Sequence, residues 1–317
     1  MTTISESVSN FIGVDLSGSA ILAAIVDNSG TVIERQETPI EHARIVEEVT
    51  KIAGEMRARN SNIGGLGVAV PGLVNSQDNR VISSKDLPPR VVEDLHAQLM
   101  QATNLRVEIE NDANAAAYGE YRVGAGRGSR NMFFITIGEG IGGALIIDGK
   151  LWTGSSGFAG EVGHITIDNE GLKCECGNTG CLETVASAPN IVRRAKERLK
   201  RDSTSSLSRL AINKRFTASD VAHEAKNGDD FSIMMLERTG KFIGTAVASV
   251  INLLNIERIV LGGGVMEAGE FILDPIIREA QRRAFQPCFE ATSIVAATLG
   301  ADAVPIGVAM LARDARQ

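Results

Sequence analysis

One pattern occurs twice in this chain and constrains its fold more than any other feature. It is an apolar run, a turn bearing glycine, a second apolar run and then a third. The first copy runs through residues 11–14, Asp15-Leu16-Ser17-Gly18-Ser19 and residues 20–26, and Asn28-Ser29-Gly30 then leads into residues 31–35. The second runs through residues 132–137, Gly138-Glu139-Gly140, residues 141–147, the Asp148-Gly149 turn and residues 150–152. Short apolar runs bounded by turn residues read as strands, and Asp-Gly between two of them reads as a tight hairpin. Alternating elements follow each copy. Ile45, Val49, Ile52, Ala53 and Met56 recur near helical spacing and predict a helix over 41–59. Further helices are expected over 91–102, 113–121, 188–200, 231–254 and 303–313, the last apolar on one face. Strands are expected over 66–70, 106–109 and 259–261, and the Ser-rich basic stretch 201–215 is expected to be a loop. Such a chain is α/β, with two mixed sheets flanked by helices. Its 317 residues exceed what a single core usually supports. Two unrelated α/β domains would give the same pattern.

The turns suggest chemistry. A turn that exposes backbone N–H groups holds phosphate oxygens, and large side chains block the approach. Asp15, Ser17, Gly18 and Ser19 form one such turn, and Gly138, Gly140, Gly142 and Gly143 a second. Asp15 could hold Mg²⁺ through water, because Mg²⁺ takes few protein carboxylates. Gly262, Gly263 and Gly264 end a third apolar strand, and their bare backbone suits the flat face of an adenine. A tight hairpin explains any one of these turns equally well.

Glu110-Asn111-Asp112 stands where a strand becomes a helix. A carboxylate there feels the helix dipole. Phosphoryl transfer asks for a positioned base and for cations on the phosphates. Asp112 fits the base and Asn111 could fix a sugar hydroxyl, although either residue also fits a plain N-cap. His164 precedes Cys174, Cys176 and Cys181 within 18 residues. Three thiolates and an imidazole make a closed, structural Zn²⁺ site. Glu161, His164 and Glu183 bracket that loop. A zinc-bound histidine has one ring nitrogen left to meet a ligand oxygen, so the three residues form a plausible polyol clamp. Solvated surface glutamates are the plainer reading of Glu161 and Glu183. Cys288 reads as an ordinary thiol.

The net charge of −7 and pI near 5.3 argue against a general nucleic-acid binder. No run of about 20 apolar residues appears, so no membrane span is expected. Residues 1–10 lack the basic start and apolar core of a secretory signal and read as a short disordered lead. The clustered thiols suit a reducing, cytoplasmic setting.

Taken together these motifs resemble the ROK family of repressors, open reading frames and sugar kinases. Gly13-Val14-Asp15-Leu16-Ser17-Gly18-Ser19 resembles its first phosphate motif, and Glu110-Asn111-Asp112-Ala113-Asn114 its catalytic-aspartate segment. Residues 138–143 and Gly157-Phe158-Ala159-Gly160-Glu161-Val162-Gly163-His164 resemble the second phosphate motif and the sugar loop. Cys174-Glu175-Cys176-Gly177-Asn178-Thr179-Gly180-Cys181-Leu182-Glu183 resembles the zinc motif, and residues 261–265 the adenosine-side glycines. The resemblance implies an actin-like ATPase (ribonuclease H-like) fold with nucleotide and sugar in the cleft between two domains. The smaller would span 11–120 plus 303–317 and the larger 121–302. It also implies a homodimer and ATP-dependent phosphorylation of a hexose or N-acetylhexosamine. Asp112 would be the base, with sugar contacts from Asn111, Asp112, Glu161, His164 and Glu183, and structural Zn²⁺ on His164, Cys174, Cys176 and Cys181.

The chain departs from the kinase pattern at three places. The kinases usually read Asp-x-Gly-Gly-Thr-Lys where this chain reads Asp15-Leu16-Ser17-Gly18-Ser19-Ala20. They usually read Gly-Thr-Gly at Gly138-Glu139-Gly140, and Pro-Asn at Lys85-Asp86. The first two changes resemble the family's non-catalytic regulators, which makes a sugar-binding sensor the alternative. Those regulators read DNA through an N-terminal helix-turn-helix. About ten residues precede the first strand here, too few for one.

Overall fold

The computed structural model describes residues 10–201, 204–213 and 216–315. The expected lead over 1–10 lies, apart from Asn10, outside them. The chain divides into two compact units, one of residues 1–128, 150–159 and 299–317, the other of 129–149 and 160–298.

The first unit contains β1 (Asn10–Asp15), β2 (Ala20–Val26), β3 (Val32–Pro39), α1 (Ile45–Arg59), β4 (Ile63–Val70), β5 (Leu73–Asn75), β6 (Arg80–Ser83), α2 (Pro89–Val92), α3 (Leu95–Thr103), β7 (Val107–Asn111) and α4 (Asp112–Val123). Its main sheet has the order β3-β2-β1-β4-β7, with β1–β2 and β2–β3 antiparallel and β1–β4 and β4–β7 parallel. β1 is buried almost throughout, as a central strand covered on both faces must be. β3 alternates along its length, as an edge strand does. The five apolar positions that predict α1 are its five buried residues.

The second unit begins with β8 (Met132–Ile137) and β9 (Ile141–Ile147). The short β10 (Lys150–Trp152) follows β9 after the Asp148-Gly149 turn and belongs to the first unit by its contacts. The second unit continues with α5 (Glu183–Ala186), α6 (Ala188–Leu199), α7 (Leu207–Asn213), α8 (Ala218–Lys226), α9 (Asp230–Leu254), β11 (Arg258–Gly262), α10 (Glu270–Arg283), α11 (Gln286–Glu290) and β12 (Ser293–Ala296). Its strands run β9-β8-β11-β12, with β8–β9 antiparallel and the other two pairs parallel. That repeats the order β2-β1-β4-β7 of the first unit, so the doubled sequence pattern is a doubled topology.

The last helix, α12 (Ala303–Asp314), belongs to the first unit and corrects the one-faced expectation. It is buried nearly all round because it packs on β1, β4 and α4 together. Glycines permit the approach. A Cβ on Gly13 would lie 1.9 Å from the Pro305 carbonyl oxygen, and one on Gly307 would lie 1.7 Å from that of Ala115. Two other expectations change. The helix over 91–102 is two helices, interrupted at Glu93-Asp94. The expected 201–215 loop contains α7, and its serines start that helix. Ser205 Oγ donates to Asp229 at 2.8 Å and accepts from the Leu207 N–H at 3.2 Å.

Candidate functional site

In the first unit β1, β4 and β7 are parallel, so their C-terminal ends share one edge of the sheet. Ligands of open α/β sheets gather at that edge. Asp15 ends β1, and Asn111 ends β7 with Asp112 opening α4. The N-cap reading of this junction is true of Asn111, whose Oδ1 accepts from the Asn114 N–H at 3.1 Å. The same side chain aims its amide at the neighbour: Nδ2 donates to Asp112 Oδ1 at 2.9 Å and to the Gly72 carbonyl at 2.9 Å. Beneath them Glu110 is buried and accepts from the Asn111 N–H at 2.8 Å and from Asn114 Nδ2 at 3.0 Å. Local sequence gives no sign of that support.

Asp15 is buried, and its Oδ1 accepts from the Ser17 N–H at 2.8 Å and the Ser17 hydroxyl at 2.6 Å. Burial raises its pKa against those two bonds. Ser17 therefore spends its hydroxyl on Asp15. Among the described residues the amides of Gly18 and Ser19 donate to no protein acceptor. For Asp112, burial first and the nearby Asp15 carboxylate second push the pKa up to about 7. Amide donors at the start of α4 and the Asn111 side chain oppose this only in part.

The second unit presents a matching turn at the end of β8. Gly138 N–H donates to the Gly140 carbonyl at 2.9 Å, and the Gly138 carbonyl accepts from the Ala188 N–H of α6 at 2.8 Å. Among the described residues the amides of Glu139 and Gly140 again have no protein acceptor. Gly142 and Gly143 are not in the turn; they lie within β9. Gly143 is glycine because a Cβ there would sit 2.5 Å from the Gly160 carbonyl oxygen. Gly263, with φ 89°, passes so close to the end of β8 that a Cβ would sit 2.4 Å from the Ile137 oxygen. Its bareness is therefore explained by packing, while Gly264 has open space beside it.

His164, Cys174, Cys176 and Cys181 converge. Their donor atoms all lie within 4.8 Å of one another. Cys176 and Cys181 Sγ are 3.7 Å apart, as are Cys174 Sγ and His164 Nδ1. His164 Nε2 turns the other way, 3.9 Å from Glu161 Oε2. Glu183 is half-buried at the start of α5, and its Oε2 accepts from the Ile141 N–H at 2.8 Å.

Sequence reasoning missed a cleft of about 520 Å³ beside the second turn, lined by Glu139, Pro189, Val192, Lys196 and Phe216 among others. Lys196 Nζ lies 5.6 Å from the centre of the buried Phe216 ring. Val192 and Lys196 lie four residues apart on α6, but Phe216 comes from beyond α7, so only the fold joins them.

Two units with one strand order, each ending its first strand in a turn with free amides, define an actin-like ATPase fold. The chain belongs to the ROK family, whose model matches residues 11–315. It is 35% identical to a glucokinase of Halalkalibacterium halodurans, over 96% of this chain and 95% of that one. Among solved structures it resembles a ROK family glucokinase from Streptomyces griseus in complex with glucose and AMPPNP. That match has a TM-score of 0.84 and 31% identity, over 97% of this chain and all of that one. It also resembles a ROK family transcriptional regulator, a homologue of E. coli MLC protein, with a TM-score of 0.87 and 26% identity, over 96% of this chain and 78% of that one. Fold likeness therefore does not separate kinase from regulator, and the sequence leans to the kinases. Among the described residues no helix is long and apolar enough to cross a membrane.

Proposed function

We propose that this chain is an ATP-dependent sugar kinase of the glucokinase type, which phosphorylates a hydroxyl of a hexose or N-acetylhexosamine with Asp112 as the base. The observation that carries the reading is Asp112 itself. It is a carboxylate at a helix start, oriented by Asn111, with a pKa pushed up to about 7. A base is most effective when its pKa lies near the working pH. The family and the glucokinase relatives support the reaction class.

Bound Mg²⁺–ATP supplies the γ-phosphoryl group. Asp15 Oδ2 accepts no hydrogen bond among the described residues, so it suits a hydrated Mg²⁺. The free amides of Gly18 and Ser19 in the first unit, and those of Glu139 and Gly140 in the second, would each be donors to phosphate oxygens. Ser17 leaves the Gly18 and Ser19 amides clear, since its hydroxyl is turned onto Asp15. The Pro189–Val192–Phe216 cleft accepts the nucleoside, with Lys196 at its wall. Asn111 holds Asp112 in place, and Asp112 takes the proton of the attacking hydroxyl.

The His–Cys₃ set fits zinc. A tetrahedral Zn²⁺ with Zn–S near 2.3 Å spaces its sulfurs by about 3.8 Å, as Cys176 and Cys181 are spaced. Held by zinc through Nδ1, His164 would be fixed in tautomer and would present Nε2, with Glu161 and Glu183, to sugar hydroxyls. The reading includes a homodimer and a cytoplasmic setting, the latter supported by the clustered thiols. Light scattering on the purified protein tests the dimer.

The test of function is ADP release from Mg²⁺–ATP by zinc-loaded protein over a panel of hexoses and N-acetylhexosamines. Turnover with at least one sugar is expected. A sugar-responsive protein without turnover is the second reading, favoured by Glu139 in the turn and by the likeness to the regulator. It requires that a sugar raise the melting temperature while no ADP forms.

A further inference from the structure

Glu183 does two things that the sugar-clamp reading does not join. It follows the zinc loop two residues after Cys181, and its carboxylate also reaches back 42 residues to the phosphate turn. Oε2 accepts the Ile141 N–H at 2.8 Å, the first amide after Gly138-Glu139-Gly140. Gly140 makes room for it: a Cβ there would meet Glu183 Oε2 at 2.8 Å and no other heavy atom within 4 Å outside its chain neighbours apart from Cδ. Gly140 is not in a positive-φ conformation, so that carboxylate is what a side chain at 140 would disturb. The main chain of Glu183 is fixed as well, since its carbonyl accepts from Asn190 Nδ2 of α6 at 3.0 Å. The turn is thus gripped on both sides, by Ala188 N–H on the Gly138 carbonyl and by Glu183 on the Ile141 amide.

We propose that Glu183 is a positioning residue for the phosphate donor: its Oε2 sets the Gly138–Gly140 turn while Oε1 serves the sugar, so that acceptor binding orders the donor site. This rests on the reading of Glu183 as a sugar contact. A sugar hydroxyl that fixes one oxygen of a carboxylate fixes the other. The consequence is tighter nucleotide binding in the presence of sugar, with equal reciprocal tightening of sugar by nucleotide.

The test uses Glu183→Ala, Glu183→Gln and Gly140→Ala, each with its zinc content checked. AMPPNP–Mg²⁺ affinity is measured by calorimetry with and without glucose, and amide exchange is followed over residues 138–143. Loss of a charge-assisted hydrogen bond is expected to weaken AMPPNP about tenfold in Glu183→Ala and Gly140→Ala. Glu183→Gln, which keeps an acceptor oxygen, stays within about threefold of wild type. Glucose slows exchange over 138–143 in wild type and not in Glu183→Ala. Wild-type AMPPNP affinity in both Glu183→Ala and Gly140→Ala overturns the proposal, even if glucose binding is lost. Unchanged glucose binding in Glu183→Ala overturns the sugar-contact reading instead. If even the wild type fails to bind AMPPNP, exchange at Ile141 decides: the same rate in Glu183→Ala as in wild type overturns the proposal.

Discussion

The side-chain amide of Asn111 donates to the carboxylate of Asp112 at 2.9 Å while its oxygen caps the helix that Asp112 begins. One residue therefore both starts α4 and aims the proposed base. Asn111→Ala is expected to cost about 1 kcal/mol of stability from the lost cap and to lower kcat more than it changes the KM for sugar. Asn111→Asp keeps a capping oxygen but removes the donor and adds a like charge. It is expected to raise the pKa of Asp112 and move the rising limb of the pH–rate profile upward. A limb that moves downward, or a kcat unchanged in Asn111→Ala, contradicts this role.

The pH dependence follows from Asp112. Its pKa in the folded protein, about 7, lies above the ordinary 3.8, so the carboxyl stays protonated well above the usual range. A base must be deprotonated, so kcat/KM is expected to rise with pH through an inflection near 7. The stability contribution has the opposite direction. It is fully present below the unfolded pKa and is lost as pH rises through the folded one. Asp112→Asn is therefore expected to melt above wild type at pH 8 and to approach it towards pH 4. Melting curves across that range check the sign.

Removing the metal tests the loop. The purified protein is expected to carry one zinc per chain by elemental analysis. Cys176→Ser or a strong chelator should lower both the melting temperature and the sugar affinity, because His164 then loses its fixed orientation. Full sugar affinity in metal-free protein contradicts the clamp.

The seat of α12 is tested by Gly307→Ala. The new Cβ would lie 1.7 Å from the Ala115 carbonyl oxygen, which belongs to helix backbone and has nowhere to move. A loss of about 3 kcal/mol or more is expected in denaturant unfolding. A change below about 0.5 kcal/mol, the size of an ordinary surface substitution, contradicts the packing.

The parts that were legible in the sequence are those whose signal is local. The apolar spacing of α1 and the two meanders is periodic, and the His–Cys₃ set falls within 18 residues. What escaped depends on residues far apart in the chain. α12 looks one-faced because its other partners, Gly13 on β1 and Ala115 on α4, are supplied by the fold. Gly143 looks like part of a phosphate turn until Gly160 is brought against it. Glu183 reads as a surface acid because nothing near it announces Ile141. Ser17 reads only as a departure from the kinases' glycine pair because sequence does not show its hydroxyl folded back onto Asp15.

The most direct measurement is steady-state turnover of Asp112→Asn beside its equilibrium sugar binding, with the sugar that wild type phosphorylates. In Asp112→Asn kcat is expected to fall by about a thousandfold, within the range of general-base effects, while the Kd for sugar stays within about threefold. Turnover near the wild-type rate in Asp112→Asn would remove Asp112 as the base and with it the mechanism proposed for this chain.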